Sequence, residues 1–166
     1  MKNRLLPLEE KSPRKFYRVI DTPALLAGMP IPPGDMDWKA LADKGIKYVV
    51  SLESESPLYD PSPLKLLYAT KLNDLVLGNP PNDPKGEELL IRKAVTLITA
   101  KLKAGEGVVV HCWGGTGRTG TVIGCVLKEL GYEGREIVRY MDLLHKQRGR
   151  EGWPEASWQA QLVERF

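Results

Sequence analysis

Two periods of apolar residues organise this chain. Phe16-Tyr17-Arg18-Val19-Ile20 is a short run of the strand type. From Pro23 through Pro30, Pro32 and Pro33 to Gly34, the punctuating residues predict an irregular connection. Asp35 or Asp37 can then cap a short helix through Trp38, Leu41 and Ala42, stopped by Gly45. Lys47 to Leu52 is apolar nearly throughout and predicts a buried strand, and Leu66 to Leu72 a further one. A loop with Gly78, Pro80, Pro81 and Pro84 separates that strand from a strongly amphipathic helix over Lys85 to Ala104. The helix stripe is Ile91, Val95, Ile98 and Leu102, widened by Leu90, Ala94 and Leu97. Glu87 and Glu88 lie at its positive end, Lys101 and Lys103 at its negative end.

Beyond Gly105 and Gly107, Val108 to Cys112 is a β-branched run of the kind found in the middle of a parallel sheet. Helical periods resume over Thr119 to Leu130, Glu136 to Lys146 and Pro154 to Arg165. Strands alternating with helices predict an α/β domain, its mostly parallel central sheet flanked by helices on both faces. The first fifteen residues lack either period and read as an arm (1–15) leading into one domain (16–166). In such folds ligands gather at the carboxyl ends of the strands, and the turn after Cys112 lies at one of them.

Composition narrows the classes. The chain has 166 residues, enough for one ordinary core, and its charged fraction of 27% excludes a disordered or fibrous protein. A net charge of +3 is too small for a nucleic-acid binder unless it is concentrated in a patch. No apolar run approaches the ~20 residues of a membrane span, and the first ten residues lack the core of a secretory signal. Two cysteines cannot staple a secreted scaffold, so a cytoplasmic location is expected.

The chemistry is concentrated in His111-Cys112-Trp113-Gly114-Gly115-Thr116-Gly117-Arg118-Thr119-Gly120. A cysteine ends a buried strand and a helix follows within seven residues. The glycines between them let backbone N–H groups turn inward without a Cβ in the way. A ring of amides backed by a helix N-terminus suits phosphate, and the same field favours thiolate over thiol. Arg118 can clamp two phosphate oxygens with its planar fork. Reading Cys112 as a small buried hydrophobe leaves the glycines and Arg118 unexplained. The string from Gly115 to Gly120 also fits G-x-G-x-x-G, but the acidic strand end that fingerprint needs would fall in the helical region around Arg139 to Asp142. A nucleotide-triphosphate loop needs a lysine that is absent after the glycines.

The string His111-Cys112-x5-Arg118-Thr119-Gly120 resembles the signature of the cysteine-dependent protein-tyrosine phosphatase superfamily, and its glycine-rich interior looks most like the small dual-specificity branch. The resemblance implies attack by Cys112 on phosphorus and a phosphocysteine intermediate. It assigns oxyanion binding to Trp113, Gly114, Gly115, Thr116, Gly117 and Arg118, and donation to the departing sulfur to Thr119. His111 would brace the loop. No metal or other cofactor is implied, and the partner is a phosphorylated protein or peptide. Phosphoinositide-directed relatives tend to carry basic residues in the loop, where this chain has no lysine.

The family's proton-donating aspartate has no direct counterpart, because Leu77 and Gly78 stand where it is expected. Asp74 and Asp83 flank that point. Asp83-Pro84 reads as an N-cap followed by an N1 proline, which favours Asp74 as the acid. Trp153 to Gln159 resembles the family's glutamine segment, leaving Gln159 either to orient the hydrolytic water or to face solvent as an ordinary helical residue. Trp113 can stack on an aryl phosphate or pack; Trp38, Trp153 and Trp158 read as core or loop anchors, and Cys125 as a packing residue. The run His145 to Arg150 is either a solvated helix end or a second anion site. Two other classes stay open beside the phosphatase: a phosphopeptide-binding module with little turnover, and a sulfurtransferase.

Overall fold

A computed structural model describes residues 5–7 and 16–166; the expected arm falls largely outside the described residues. The strands are β1 (Tyr17–Ile20), β2 (Leu26–Met29), β3 (Ile46–Ser51), β4 (Lys65–Ala69) and β5 (Gly107–His111). The helices are α1 (Trp38–Asp43), α2 (Pro84–Lys103), α3 (Gly117–Glu129), α4 (Gly134–Gln147) and α5 (Ser157–Arg165). One sheet of order β1-β2-β5-β3-β4 joins the strands, antiparallel between β1 and β2 and parallel elsewhere.

β5 is central, and its side chains alternate between two apolar layers. Val108 and Val110 join the larger layer, with Ile91, Ile98, Val122, Ile123, Met141 and Leu162 from helices α2 to α5. Val109 faces the smaller layer, where Trp38 and Leu41 of α1 pack with Ala27, Met29 and Val49. The sheet is thus covered on both faces, thickly by four helices and thinly by one six-residue helix. Asp37, rather than Asp35, caps α1 by accepting from the Ala40 N–H at 3.0 Å. Gly45, at φ +99°, takes the left-handed turn that ends it.

One element differs from expectation. The stretch from Pro23 to Gly34 is not irregular throughout but contains β2, fully buried and paired with β5. Ala24 to Met29 is too short and too closely bracketed by prolines for its period to register, and tertiary pairing decides its conformation. At the other edge, β4 stops at Ala69, yet Leu72 N–H still donates to Leu52 carbonyl at 3.0 Å, carrying the chain to the carboxyl ends of the strands. The other strands and helices lie where their periods put them, to within a few residues.

Candidate active site

Cys112 follows β5, with 2% of its surface exposed, and the loop from Trp113 to Thr116 leads into α3. Every carbonyl from Cys112 to Gly117 is engaged on the outside of the loop. His111 Nδ1–H donates to the Cys112 carbonyl at 3.0 Å. Ile31 N–H, just beyond β2, donates to Trp113 at 2.9 Å. Arg148 Nη2 reaches the Gly114 carbonyl at 3.3 Å; Arg148 Nη1 at 3.2 Å and the Tyr17 hydroxyl at 2.7 Å share that of Gly115. The Gly120 N–H takes Thr116, and Trp153 Nε1 and the Thr121 hydroxyl take Gly117 at 3.2 and 2.8 Å. Within a planar peptide the N–H points opposite the C=O. Outward carbonyls from 112 to 117 therefore turn the N–H groups of Trp113 to Arg118 inward over the Cys112 sulfur.

The local sequence permits this bend. Gly115 adopts φ +73°, and a Cβ there would meet the Met29 carbonyl. Thr116 makes no side-chain cap to α3; its hydroxyl accepts from Arg148 at 3.3 Å, so it does not cover the first-turn amides of the helix. His111 is buried, and because its Nδ1–H donates to a carbonyl, its Nε2 accepts from the Tyr59 hydroxyl. Burial lowers its pKa, and the ring is a neutral brace. Thr119 is fully buried and its hydroxyl has no hydrogen-bond partner among the described residues.

A cleft of about 570 Å³ opens over the loop. Cys112, Trp113, Gly114, Thr116, Gly117 and Arg118 line it, together with Asp74, Arg150 and Glu155. The Arg118 side chain is 11% exposed, with Nη1 donating to the Leu72 carbonyl at 3.5 Å and Nη2 3.9 Å from Asp74 Oδ2. The Asp74 side chain is 58% exposed, and its other oxygen accepts from Val76 N–H at 3.1 Å. Asn73 steadies this loop: its N–H donates to buried Glu87 Oε2 at 2.7 Å and its Oδ1 accepts from Asn82 N–H at 2.9 Å. Glu87, expected only to complement the helix dipole, is thus a strut, and burial raises its pKa. Asp83 lies outside the cleft lining and caps α2, accepting from Gly86 N–H at 3.0 Å. Trp113 stands at the rim with 64% exposure.

Two placements depart from the sequence expectations. Gln159 neither faces solvent nor lines the cleft: it is 1% exposed, and its Oε1 accepts from the N–H groups of Glu155 and Ala156 at 2.8 and 3.3 Å. The run His145 to Arg150 is neither simply solvated nor a separate anion site. Arg148 folds back over the Tyr17 ring to hold the loop, and Arg150 lines the cleft beside Gly114. His145 is fully buried, its Nδ1 accepting from Arg148 at 2.9 Å; burial and the two arginines push its pKa down to about 3. Trp153, expected as a core or loop anchor, bonds the loop. Cys125 is buried, and burial raises its thiol pKa; both cysteines are free thiols. Among the described residues no group of three or more His, Cys, Asp or Glu could hold a metal, and no helix is long and apolar enough to cross a membrane.

Comparison with known proteins adds a family. Residues 14–155 match the family described as a Swiss Army Knife protein, DSP-PTPase phosphatase domain. The tyrosine-protein phosphatase cdcA of Emericella nidulans is 33% identical over 120 residues, which are 70% of this chain and 19% of that protein; this chain therefore spans about a fifth of its relative. Among solved structures, a kinase-associated phosphatase with its catalytic cysteine replaced by serine superposes with a TM-score of 0.62 at 16% identity, over 86% of this chain and 85% of that one. PTPMT1 in complex with PI(5)P superposes with a TM-score of 0.65 at 15% identity, over 90% and 92%. At these identities the two structures speak for the fold.

Proposed function

The chain belongs to the DSP-PTPase phosphatases, and from that premise we propose that residues 16–166 form a domain that hydrolyses phosphotyrosine, and with it phosphoserine and phosphothreonine, on protein substrates through a phosphocysteine intermediate. The observation that carries the proposal is the outward tethering of six consecutive carbonyls, which leaves an amide cup over Cys112 with Arg118 at its wall.

The Cys112 sulfur attacks phosphorus and the ester P–O bond breaks. The amides of Trp113 to Arg118 and the Arg118 fork hold the equatorial oxygens as charge develops on them. Asp74, at the exit of the β4 edge, donates a proton to the leaving oxygen. Water then attacks phosphorus, the P–S bond breaks, and the buried Thr119 hydroxyl donates to the departing sulfur. Trp113 at the rim offers a face to an aryl group. Gln159 works at one remove, anchoring the backbone that carries Glu155.

A protein substrate is favoured over a polyanionic headgroup by charge. The cleft lining holds the carboxylates Asp74, Asp142, Glu151 and Glu155 against only Arg118 and Arg150. A second and third phosphate would meet like charge there. The test is metal-free hydrolysis of phosphotyrosyl, phosphoseryl and phosphothreonyl peptides beside a phosphoinositide. Turnover of the peptides that vanishes in Cys112→Ser is expected. Activity that survives Cys112→Ser overturns the mechanism. Phosphopeptide binding without turnover replaces it with a binding module, and faster turnover of thiosulfate with a sulfurtransferase.

A further inference from the structure

Besides Asp74 the cleft lining holds Asp142, Glu151 and Glu155, to which neither the signature nor the strand-end loop assigns a task; of these Glu155 reaches the signature loop at Gly117. Glu155 lines the cleft from the segment that precedes α5. Its main-chain N–H is pinned by Gln159 Oε1 at 2.8 Å. Its side chain packs so closely on Gly117 that any Cβ there would overlap its carboxylate. The glycine at the last place before Arg118 therefore admits a carboxyl to the edge of the amide cup, where a water approaching phosphorus opposite the sulfur could meet it.

We propose that Glu155 is the proton acceptor of the second chemical step, distinct from Asp74, the donor of the first. The inference rests on the cysteine-phosphatase reading above. In the first step the Asp74 carboxyl gives its proton to the leaving oxygen as the P–O bond breaks and the S–P bond forms. In the second, the water oxygen bonds to phosphorus and the P–S bond breaks. One water proton passes to the Glu155 carboxylate, so hydrogen phosphate and the Cys112 sulfur anion leave the step. Each cycle thus removes one proton from Asp74 and adds one to Glu155, and exchange with solvent through the open cleft resets both.

The surroundings suit an acceptor. Burial, and next the Asp74 charge, raise the pKa of Glu155, while Arg118, the Gly117 N–H and Arg150 oppose the rise. A carboxylate made more basic in this way takes a proton from water more readily than an exposed one. Asp74 lacks that burial and lies beside Arg118 on the rim. The two carboxyls thus sit in different surroundings, Glu155 part-buried against Gly117 and Asp74 exposed beside Arg118.

Pre-steady-state hydrolysis of an aryl phosphate with a good leaving group tests the division. In Glu155→Gln, the first turnover should release about one phenolate per site at the wild-type rate, with steady-state turnover down by about 10²-fold. Denaturing quench and mass spectrometry should find the phosphoryl group on the Cys112 peptide. Glu155→Asp should recover part of the turnover, and the acidic limb of kcat against pH should flatten in Glu155→Gln. Inorganic phosphate binding of wild-type strength confirms that the variant is folded with its cup intact. Asp74→Asn should instead slow the first turnover, most for a poor leaving group. Glu155→Gln with steady-state turnover near wild type, or with the first turnover slowed as in Asp74→Asn, overturns the assignment. If the wild type forms no phosphoenzyme and Cys112→Ser still hydrolyses the ester, the underlying cysteine mechanism has failed instead.

Discussion

Replacing Arg148 with methionine removes four contacts in one substitution: two to loop carbonyls, one to the Thr116 hydroxyl and one to His145, besides the stacking over Tyr17 at 4.5 Å. Hydrogen bonds from a charged donor are worth about 1.5–3 kcal/mol each. Arg148 is only half-buried, so water reaches part of what it leaves, and a net loss of about 2–4 kcal/mol of stability follows. For a domain of this size that lowers Tm by roughly 5–15 °C. The effect on activity has a separate origin. The Gly114 and Gly115 carbonyls lose the guanidinium, and the N–H groups of Gly115 and Thr116, across the same peptide planes, lose their aim. Misdirecting one oxyanion donor costs about 10²–10³ in rate. The Tyr17 hydroxyl still holds Gly115, so a fall in kcat/KM of about 10²-fold is expected, with inorganic phosphate inhibiting correspondingly less well. Lysine at 148 restores the charge without the fork and should recover only a small part. Steady-state kinetics and phosphate inhibition, measured well below the variant's Tm, provide the check. A methionine variant that melts early yet retains wild-type kcat/KM and phosphate affinity would refute the claim that outward bonds aim the amides.

Asp83→Ala should cost about 1 kcal/mol through the lost α2 cap and leave the chemistry untouched, as paired melting and kinetic measurements would register. Thr119→Val fills the same volume without a buried hydroxyl that has no partner among the described residues; it should hold or raise stability by about 1 kcal/mol while slowing phosphoenzyme breakdown, seen as a burst of phenolate. His145 has a folded-state pKa of about 3 against 6.5 when unfolded, so its contribution is fully present above pH 6.5 and is lost as pH falls toward 3. Through that window stability should drop by up to about 1.4 kcal/mol per pH unit, and denaturant titrations of His145→Gln should give a flatter slope.

What could be read in the sequence was local. The signature from His111 to Gly120 states its own geometry, because a strand, a glycine turn and a helix start are all encoded within ten residues. The Asp83-Pro84 cap and the α2 stripe were legible for the same reason. β2 was not, because its strand character comes from lying against β5 rather than from its own four residues. Arg148 showed only as one charge in a basic run. That it turns back onto a loop more than thirty residues earlier is set by how α4 packs, a property of the assembled helices. Glu155 was hidden similarly: its side-chain position depends on Gln159 holding its amide and on Gly117 leaving room, two residues whose relation exists only in three dimensions. A useful signal was nevertheless present in Gly117 itself, a glycine inside a helix start with no positive φ to justify it.

The supports of the cup come from opposite ends of the chain: Tyr17 near its beginning, Ile31 after β2, Arg148 and Trp153 near its close. An oxyanion gripped by those amides is consequently felt by all four segments, although it touches only one. Its binding energy is added to the unfolding free energy of the whole domain. Amide hydrogen exchange at β1 and around Trp153 should slow in step when phosphate is added, and limited proteolysis should be suppressed at both ends together.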